Sequence, residues 1–124
     1  ESTFLPHQFD TRNCICYTGT HDNTTTRGWY HEIRPDCRAF AKEYMHVDAL
    51  DEDNLSWNFI SLAMSSVADL CVIPMQDYLC LDEKARINTP STLGGNWTWR
   101  MDGEAFTSEL AKQIHRMTEI YGRL

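Results

Sequence analysis

The chain has 124 residues, of which 42% are hydrophobic and 23% are charged, and its formal net charge is -7. This composition is typical of one globular domain and excludes a disordered protein. The basic residues are scattered, which argues against nucleic-acid binding, and no apolar run approaches the ~20 residues that cross a bilayer. The five cysteines are odd in number and mostly lie in apolar runs, which is typical of buried free thiols in the cytoplasm.

A strand, a short turn or loop, a helix and an acidic linker are predicted in the first half of the chain. The apolar run Cys14-Ile15-Cys16-Tyr17 predicts a buried strand over residues 13–18. Residues 27–30 predict only a short helical turn or loop. Pro35 suits the first position of a helix, and the apolar residues behind it recur at three- and four-residue spacing, which predicts an amphipathic helix. An acidic linker over residues 48–54 follows.

The second half begins with residues 55–67, which are apolar on most faces and predict a largely buried helix. Residues 70–73 form a continuous apolar run closed by a proline, a pattern that fits a central parallel strand buried on both sides. A short helix over residues 75–81 and a long irregular loop over 82–103 are predicted next. Thr107 is predicted to cap a last amphipathic helix.

Polar residues follow both predicted strands at once. His21, Asp22 and Asn23 come after the first strand, and Gln76 and Asp77 come after the second. Two parallel strands joined by a helical crossover make a βαβ unit, and ligand sites lie at the carboxyl ends of such strands. We therefore predict an α/β protein with its functional residues at this edge, in a chain about half as long as a complete (β/α)8 barrel.

Four stretches, taken together, form a pattern that runs over essentially the whole chain. They are Leu5-Pro6-His7; Tyr17 to Asn23 with Thr25, Arg27, Gly28 and Trp29; Ile73-Pro74-Met75-Gln76-Asp77; and Ala85-Arg86-Ile87-Asn88-Thr89-Pro90 with Gly95-Asn96-Trp97-Thr98-Trp99-Arg100. In this order and spacing they resemble the C-terminal part of the 4-α-glucanotransferases, the amylomaltases or disproportionating enzymes of glycoside hydrolase family 77. A His-Asp pair alone would be a weak signal, and the four stretches together are a specific one.

The resemblance implies a fold and an activity. The fold is the helix-rich C-terminal part of a (β/α)8 TIM barrel, with its last two strands and their helices, over residues 1–124 as a single segment. The activity is a glycosyltransferase reaction that moves α-1,4-glucan segments between maltodextrins by a retaining double displacement, with no metal or organic cofactor. Asp22 matches the catalytic carboxylate that grips the donor sugar and stabilises the transition state, and His21 matches its neighbour.

The family's nucleophile and acid/base belong to earlier strands, whose motifs are absent from this chain. Retaining transfer needs two carboxyl groups about 5–5.5 Å apart. We therefore predict that residues 1–124 alone are inactive and require the missing N-terminal part of the barrel. The predicted substrate-binding residues are His21, Asn23, Gln76, Asn88 and Asn96. For Gln76 and Asp77 the structural alternative is capping of the short helix, and for the asparagines of the long loop it is a turn role.

Other interpretations stay open at this point. The chain could be a non-catalytic glucan-binding or interaction module derived from the family, or a metal-binding domain built on Cys14, Cys16 and His21. Three of the four tryptophans are interpreted mainly as packing residues, namely Trp29, Trp97 and Trp99. Because two strands leave sheet edges and an apolar face unpaired, we also predict self-association if the piece folds alone.

Overall fold

The computed structural model describes residues 2–124, which contain a two-stranded parallel sheet and five α-helices. The strands are β1 (Ile15–Tyr17) and β2 (Leu70–Val72), and the helices are α1 (Thr26–Glu32), α2 (Pro35–Tyr44), α3 (Leu55–Met64), α4 (Met75–Tyr78) and α5 (Ser108–Ile120). Short 3-10 turns cover Pro6–Gln8 and Glu83–Ala85. Within residues 2–124, no helix combines the length and apolarity that a membrane crossing requires.

Helix α1 is longer than the helical turn or loop predicted from the sequence. The threonine run before it explains the difference, because the Thr25 side chain accepts a hydrogen bond from the Gly28 amide and caps the helix. Helices α2, α3 and α5 agree with the prediction. Thr107 caps α5 as predicted, since its hydroxyl oxygen accepts from the Leu110 amide at 3.1 Å.

The two strands pair in parallel, with Cys16 opposite Cys71, and the chain crosses between them through α1, α2 and α3. Cys16 belongs to a small core with Ala63 of α3, so the cysteine face of the sheet is covered. Leu70 and Val72 are exposed on β2, so the prediction of a strand buried on both sides is wrong for residues 2–124. The two residues are exposed because α3 covers only the opposite face of the sheet, and because β2 has one neighbouring strand here.

Helix α3 is the centre of the packing, as its apolar sequence predicted. Leu55 and Ile60 are fully buried, and burial of each such side chain contributes about 1.5–3 kcal/mol. Leu55 joins Tyr30 and Cys80 in a second small core that holds α1 against the region after α4. This packing places the start of α1 beside α4, at the carboxyl end of the sheet.

Candidate functional site

The turn between β1 and α1 is held at both of its ends by Asp77 of α4. The Asp77 carboxylate accepts hydrogen bonds from the Thr18 hydroxyl at 2.5 Å, the Thr26 amide at 2.9 Å and the Thr26 hydroxyl at 2.8 Å. Asp77 is 1% exposed, and these donors compensate for the loss of hydration of its charge. The capping interpretation for α4 is therefore wrong for Asp77, whose side chain bonds to the first residue of α1.

Within this turn, Asn23 fixes the chain by a local bond. Its side-chain oxygen accepts from the amide of Thr20 at 2.8 Å and from the Thr20 hydroxyl at 2.9 Å. Asparagine is favoured in turns because it can make such bonds with nearby backbone. The turn thereby presents His21 and Asp22 outward, with their side chains 56% and 50% exposed.

Asp22 is the exposed carboxylate of the site, and side chains from the long loop hold it. Asn88 donates from Nδ2 to Asp22 Oδ1 at 2.7 Å, and Arg86 donates from Nη2 to the Asp22 carbonyl oxygen at 2.8 Å. His21 Nε2 lies 3.4 Å from the same Oδ1. Among residues 2–124 the second carboxylate oxygen, Oδ2, has no hydrogen-bond partner, so it is free to accept from a ligand hydroxyl.

Two cavities meet at this turn. The larger, of about 880 Å³, has an aromatic wall that includes Trp29 and Phe59, and the smaller, of about 550 Å³, is lined by His21 and Gln76. Asp22 lies in the wall of both. Trp29 contacts Phe59 edge-on at 5.7 Å between ring centroids but is exposed at the cavity, so it is not the core residue that the sequence suggested.

Trp97 is the residue that the sequence interpretation placed least well. It was predicted to be a packing anchor, but it is 59% exposed, and its ring lies 5.2 Å from the His21 ring. Its φ of 61° is unusual for a bulky residue, and its amide donates to the Ile87 carbonyl at 2.8 Å. Gly94 and Gly95, also at positive φ, were the available sequence signal for an irregular backbone here. Trp99, by contrast, is half-buried.

Besides Asn23, two of the predicted substrate-binding residues bond mainly to the protein itself. Gln76 is 5% exposed and donates from Nε2 to the Ala85 carbonyl at 3.3 Å. Asn96 accepts from the Thr89 amide at 2.9 Å and donates to the Thr92 hydroxyl at 3.0 Å, which closes the long loop on itself. The structure thus brings His21, Asp22 and Asn88 into direct contact, whereas Gln76 and Asn96 shape the segments around them.

A second acidic residue, Asp36, lines the larger cavity. Arg34 binds both of its carboxylate oxygens, at 3.0 and 2.9 Å, and this bonding lowers the pKa of Asp36. A carboxyl group that exchanges protons during catalysis needs a pKa near the working pH instead. Asp36 is therefore poorly suited to the acid/base role.

Residues 2–124 contain five free thiols, and they are Cys14, Cys16, Cys37, Cys71 and Cys80. Burial raises the pKa of the Cys16 and Cys71 thiols, which keeps them protonated at neutral pH. In the part of the chain that the structure describes, no group of three or more His, Cys, Asp or Glu side chains is arranged to hold a metal ion. Cys14, Cys16 and His21 therefore do not form the metal site considered as an alternative.

Comparison with known proteins identifies the family. Residues 1–107 match the family model described as 4-alpha-glucanotransferase. The 4-alpha-glucanotransferase of Clostridium butyricum is 45% identical over 120 residues, which are 97% of this chain and 24% of that protein. The 4-alpha-glucanotransferase of Thermus thermophilus is 38% identical over 128 residues, which are 100% of this chain and 26% of that protein.

A solved structure agrees with these sequences. The amylomaltase from Streptococcus agalactiae in complex with acarbose superposes with a TM-score of 0.91 at 34% identity, over 98% of this chain and 24% of that one. The chain therefore spans about a quarter of the length of the relatives that it matches. With its fold, its motifs and its relatives in agreement, this chain belongs to the 4-alpha-glucanotransferase family.

Proposed function

We propose that residues 1–124 are the C-terminal segment of a cytoplasmic 4-α-glucanotransferase and supply the last two strands of a (β/α)8 barrel with their helices. The complete enzyme transfers α-1,4-glucan segments between maltodextrins by a retaining double displacement. Family membership, the quarter-length coverage and the match to an amylomaltase support this proposal. The free thiols favour a reducing compartment.

The observation that carries the proposal is the Asp22 carboxylate. One of its oxygens is held by Asn88, and the other is free at the meeting point of two cavities. A carboxylate in this state accepts hydrogen bonds from sugar hydroxyls, and it stabilises the positive charge that develops on an oxocarbenium-like ring. Asp22 is thus proposed as the transition-state carboxylate, with His21 as a donor to a neighbouring hydroxyl.

The other residues predicted to bind substrate are proposed to do so in different ways. Asn88 touches Asp22 and is suited to bind a hydroxyl beside it. Asn23 lines both cavities, and Gln76 lines the smaller one. Asn96 holds the loop in the shape that brings Trp97 to His21. No metal or organic cofactor enters this scheme, because two carboxyl groups and a positioned third one perform retaining transfer.

The isolated chain is expected to be inactive, because the nucleophile and the acid/base belong to the absent N-terminal part of the barrel. The test is a graft in which residues 1–124 replace the matching segment of the Clostridium butyricum enzyme, with glucose release from maltotriose as the assay. We expect the graft to turn over and the free chain not to. Turnover by the free chain above a blank contradicts the assignment of Asp22 as one part of a larger site.

A non-catalytic glucan-binding module is the second candidate, and one observation favours it. Both cavities that meet at Asp22 are formed within residues 2–124, without any other part of a barrel. Titration of the free chain with maltoheptaose discriminates between the two. Millimolar or tighter binding that is lost in Asp22→Ala, together with an inactive graft, favours the binding module.

The exposed apolar face of the sheet supports the proposal that another part of the protein packs against this segment. Ile15 and Tyr17 of β1 are exposed beside Leu70 and Val72 of β2. We propose that the N-terminal part of the barrel covers this face in the complete enzyme, and that a second copy covers it when the piece is alone. A monomeric mass for the free chain by light scattering contradicts the self-association.

A further inference from the structure

The first turn of α4 carries two neighbouring side chains, Gln76 and Asp77, that are both buried, at 5% and 1% exposure. Each bonds to a different segment of the Asp22 site. Their position directly after β2 explains this arrangement, because the parallel pairing of β1 and β2 brings the carboxyl ends of both strands to one edge. Neither side chain caps α4 itself.

Asp77 acts on the segment that carries Asp22. Its two carboxylate oxygens bond to Thr18, just after β1, and to Thr26, the first residue of α1. The seven residues between them include His21 and Asp22. Because both ends of this turn are tied to one buried group, the distance between the ends is fixed.

Gln76 acts on the segment that holds the Asp22 side chain. Its Nε2 donates to the carbonyl of Ala85, the last residue of a 3-10 turn. The next residue, Arg86, donates to the Asp22 carbonyl, and Asn88 donates to the Asp22 carboxylate. The Gln76 bond therefore anchors the start of the segment from which Asp22 receives both of these hydrogen bonds.

We propose that Gln76 and Asp77 are a pair of positioning residues that set the Asp22 carboxylate against its substrate. The proposal rests on the proposed function and deepens it: in place of the sugar contact predicted from the sequence, Gln76 acts through the protein. The Asp77 carboxylate is 1% exposed and accepts three hydrogen bonds, which hold it in one position. A displacement of about 1 Å in a catalytic group lowers turnover about a hundredfold, so loss of either anchor lowers kcat and leaves KM nearly unchanged.

The test is a double-mutant cycle in the active graft. Asp77→Asn replaces one acceptor oxygen by an amide that donates, and Gln76→Met removes the bond to Ala85 at similar side-chain size. We expect each to lower kcat about ten- to a hundredfold, with little change in KM for maltotriose. Combined with Asp22→Asn, each is expected to add no further loss, since residues that act through one group are non-additive.

A matched control is available at the other end of β2. Asp69→Asn removes the same charge from an exposed side chain that pairs with Arg12, and we expect kcat to stay unchanged. If Asp77→Asn fails to fold, Thr18→Val removes one of the three bonds to Asp77 and keeps the other two. This milder variant is expected to lower kcat by a smaller factor, again without additivity to Asp22→Asn.

The possible results distinguish a failure of the proposed function from a failure of the positioning inference. If Asp22→Asn leaves the graft fully active, the proposed function fails. If Asp22→Asn lowers turnover as expected but the Asp77 and Thr18 variants leave kcat unchanged, or multiply with the Asp22 loss, the positioning inference is overturned. An increase in KM alone in Gln76→Met also overturns it for Gln76, because a sugar contact then explains the result.

Discussion

The two ends of the strand pair carry the same residue type in opposite states. At the amino end, Asp69 precedes β2, has a side chain 59% exposed, and meets Arg12 at 3.2 Å. At the carboxyl end, Asp77 is fully buried and accepts hydrogen bonds from Thr18 and Thr26. An exposed pair contributes little to stability, whereas a buried carboxylate is tolerated only with its donors in place. The comparison shows that a buried carboxylate with three donors, and not an exposed ion pair, holds the end of the sheet where Asp22 lies.

The largest expected effect on stability comes from removing the hydrogen bonds to Asp77 at the carboxyl end of the strand pair. Asp77→Ala leaves the buried Thr26 amide and two hydroxyls without their acceptor, and a buried donor left without a partner costs about 1–3 kcal/mol. We expect the free energy of unfolding of the 124-residue chain to fall by about 3 kcal/mol in urea titration. Asp69→Ala is expected to lower it by less than about 1 kcal/mol. Equal losses in the two variants would remove the distinction between the ends.

A second effect concerns the amino end of the sheet, where Arg123 bonds to the last residue of α3 and to the connection between α3 and β2. Its guanidinium donates to the carbonyls of Met64, Ser66 and Ala68, of which the Met64 carbonyl is in the last turn of α3. We expect Arg123→Ala to lower the free energy of unfolding by about 2 kcal/mol.

Arg123→Lys serves as the control for charge, because an ammonium lacks the planar fork that reaches several carbonyls. It is expected to recover only a minor part of the lost stability. In the graft, Arg123→Ala is expected to keep the kcat of the parent at temperatures where it is folded. A loss of kcat there would show that the amino end also positions the site.

The third prediction tests how closely α1 approaches the loop behind the site. A Cβ at Gly28 would lie 2.8 Å from Thr24 Oγ1 and 3.0 Å from the Cβ of Glu83. Overpacking of this kind costs about 1–3 kcal/mol, and the better helix propensity of alanine offsets up to about 1 kcal/mol. We expect Gly28→Ala to be destabilising by about 1–2 kcal/mol in thermal unfolding. Gly103→Ala, with open space around its Cβ, is the control, and a stabilising Gly28→Ala contradicts the close approach.

The smallest effect belongs to a region away from both ends of the sheet. Thr107→Ala removes the cap of α5 and is expected to lower the free energy of unfolding by about 1 kcal/mol. Circular dichroism during urea titration measures this change, with Ser108→Ala as the neighbouring control. Because α5 carries no predicted site residue, kcat of the graft is expected to stay constant, and a drop in kcat would extend the site beyond the carboxyl end.

Much of this arrangement could be predicted from the sequence. The apolar residues of α3 were enough to predict a largely buried helix. The polar residues after each strand were enough to predict that Asp22 lies at the carboxyl edge of the sheet. The burial of Asp77 could not be predicted, because it depends on where α1 packs against α4. The exposure of Leu70 and Val72 was missed because an apolar run shows that a strand suits burial but not whether a neighbour covers it within the same chain.

The exposure of Trp97 could not be predicted from the sequence for a similar reason. Alternating aromatics predict one buried face only where the backbone is extended. Here the positive φ of Trp97 turns the chain, and its ring meets His21 instead of a core. Backbone geometry of this kind is set by the bonds of the loop, such as those of Asn96, and not by residue type alone.

The most direct test of the account is the rate of glucose release from maltotriose by the graft that carries residues 1–124, with and without Asp22→Asn. Removal of one preorganised stabilising group lowers kcat about 10²–10³-fold. We expect a loss of at least this size in Asp22→Asn, with the Asp69→Asn graft unchanged. An Asp22→Asn graft that turns over maltotriose as fast as its parent would contradict the claim that this turn carries the transition-state carboxylate.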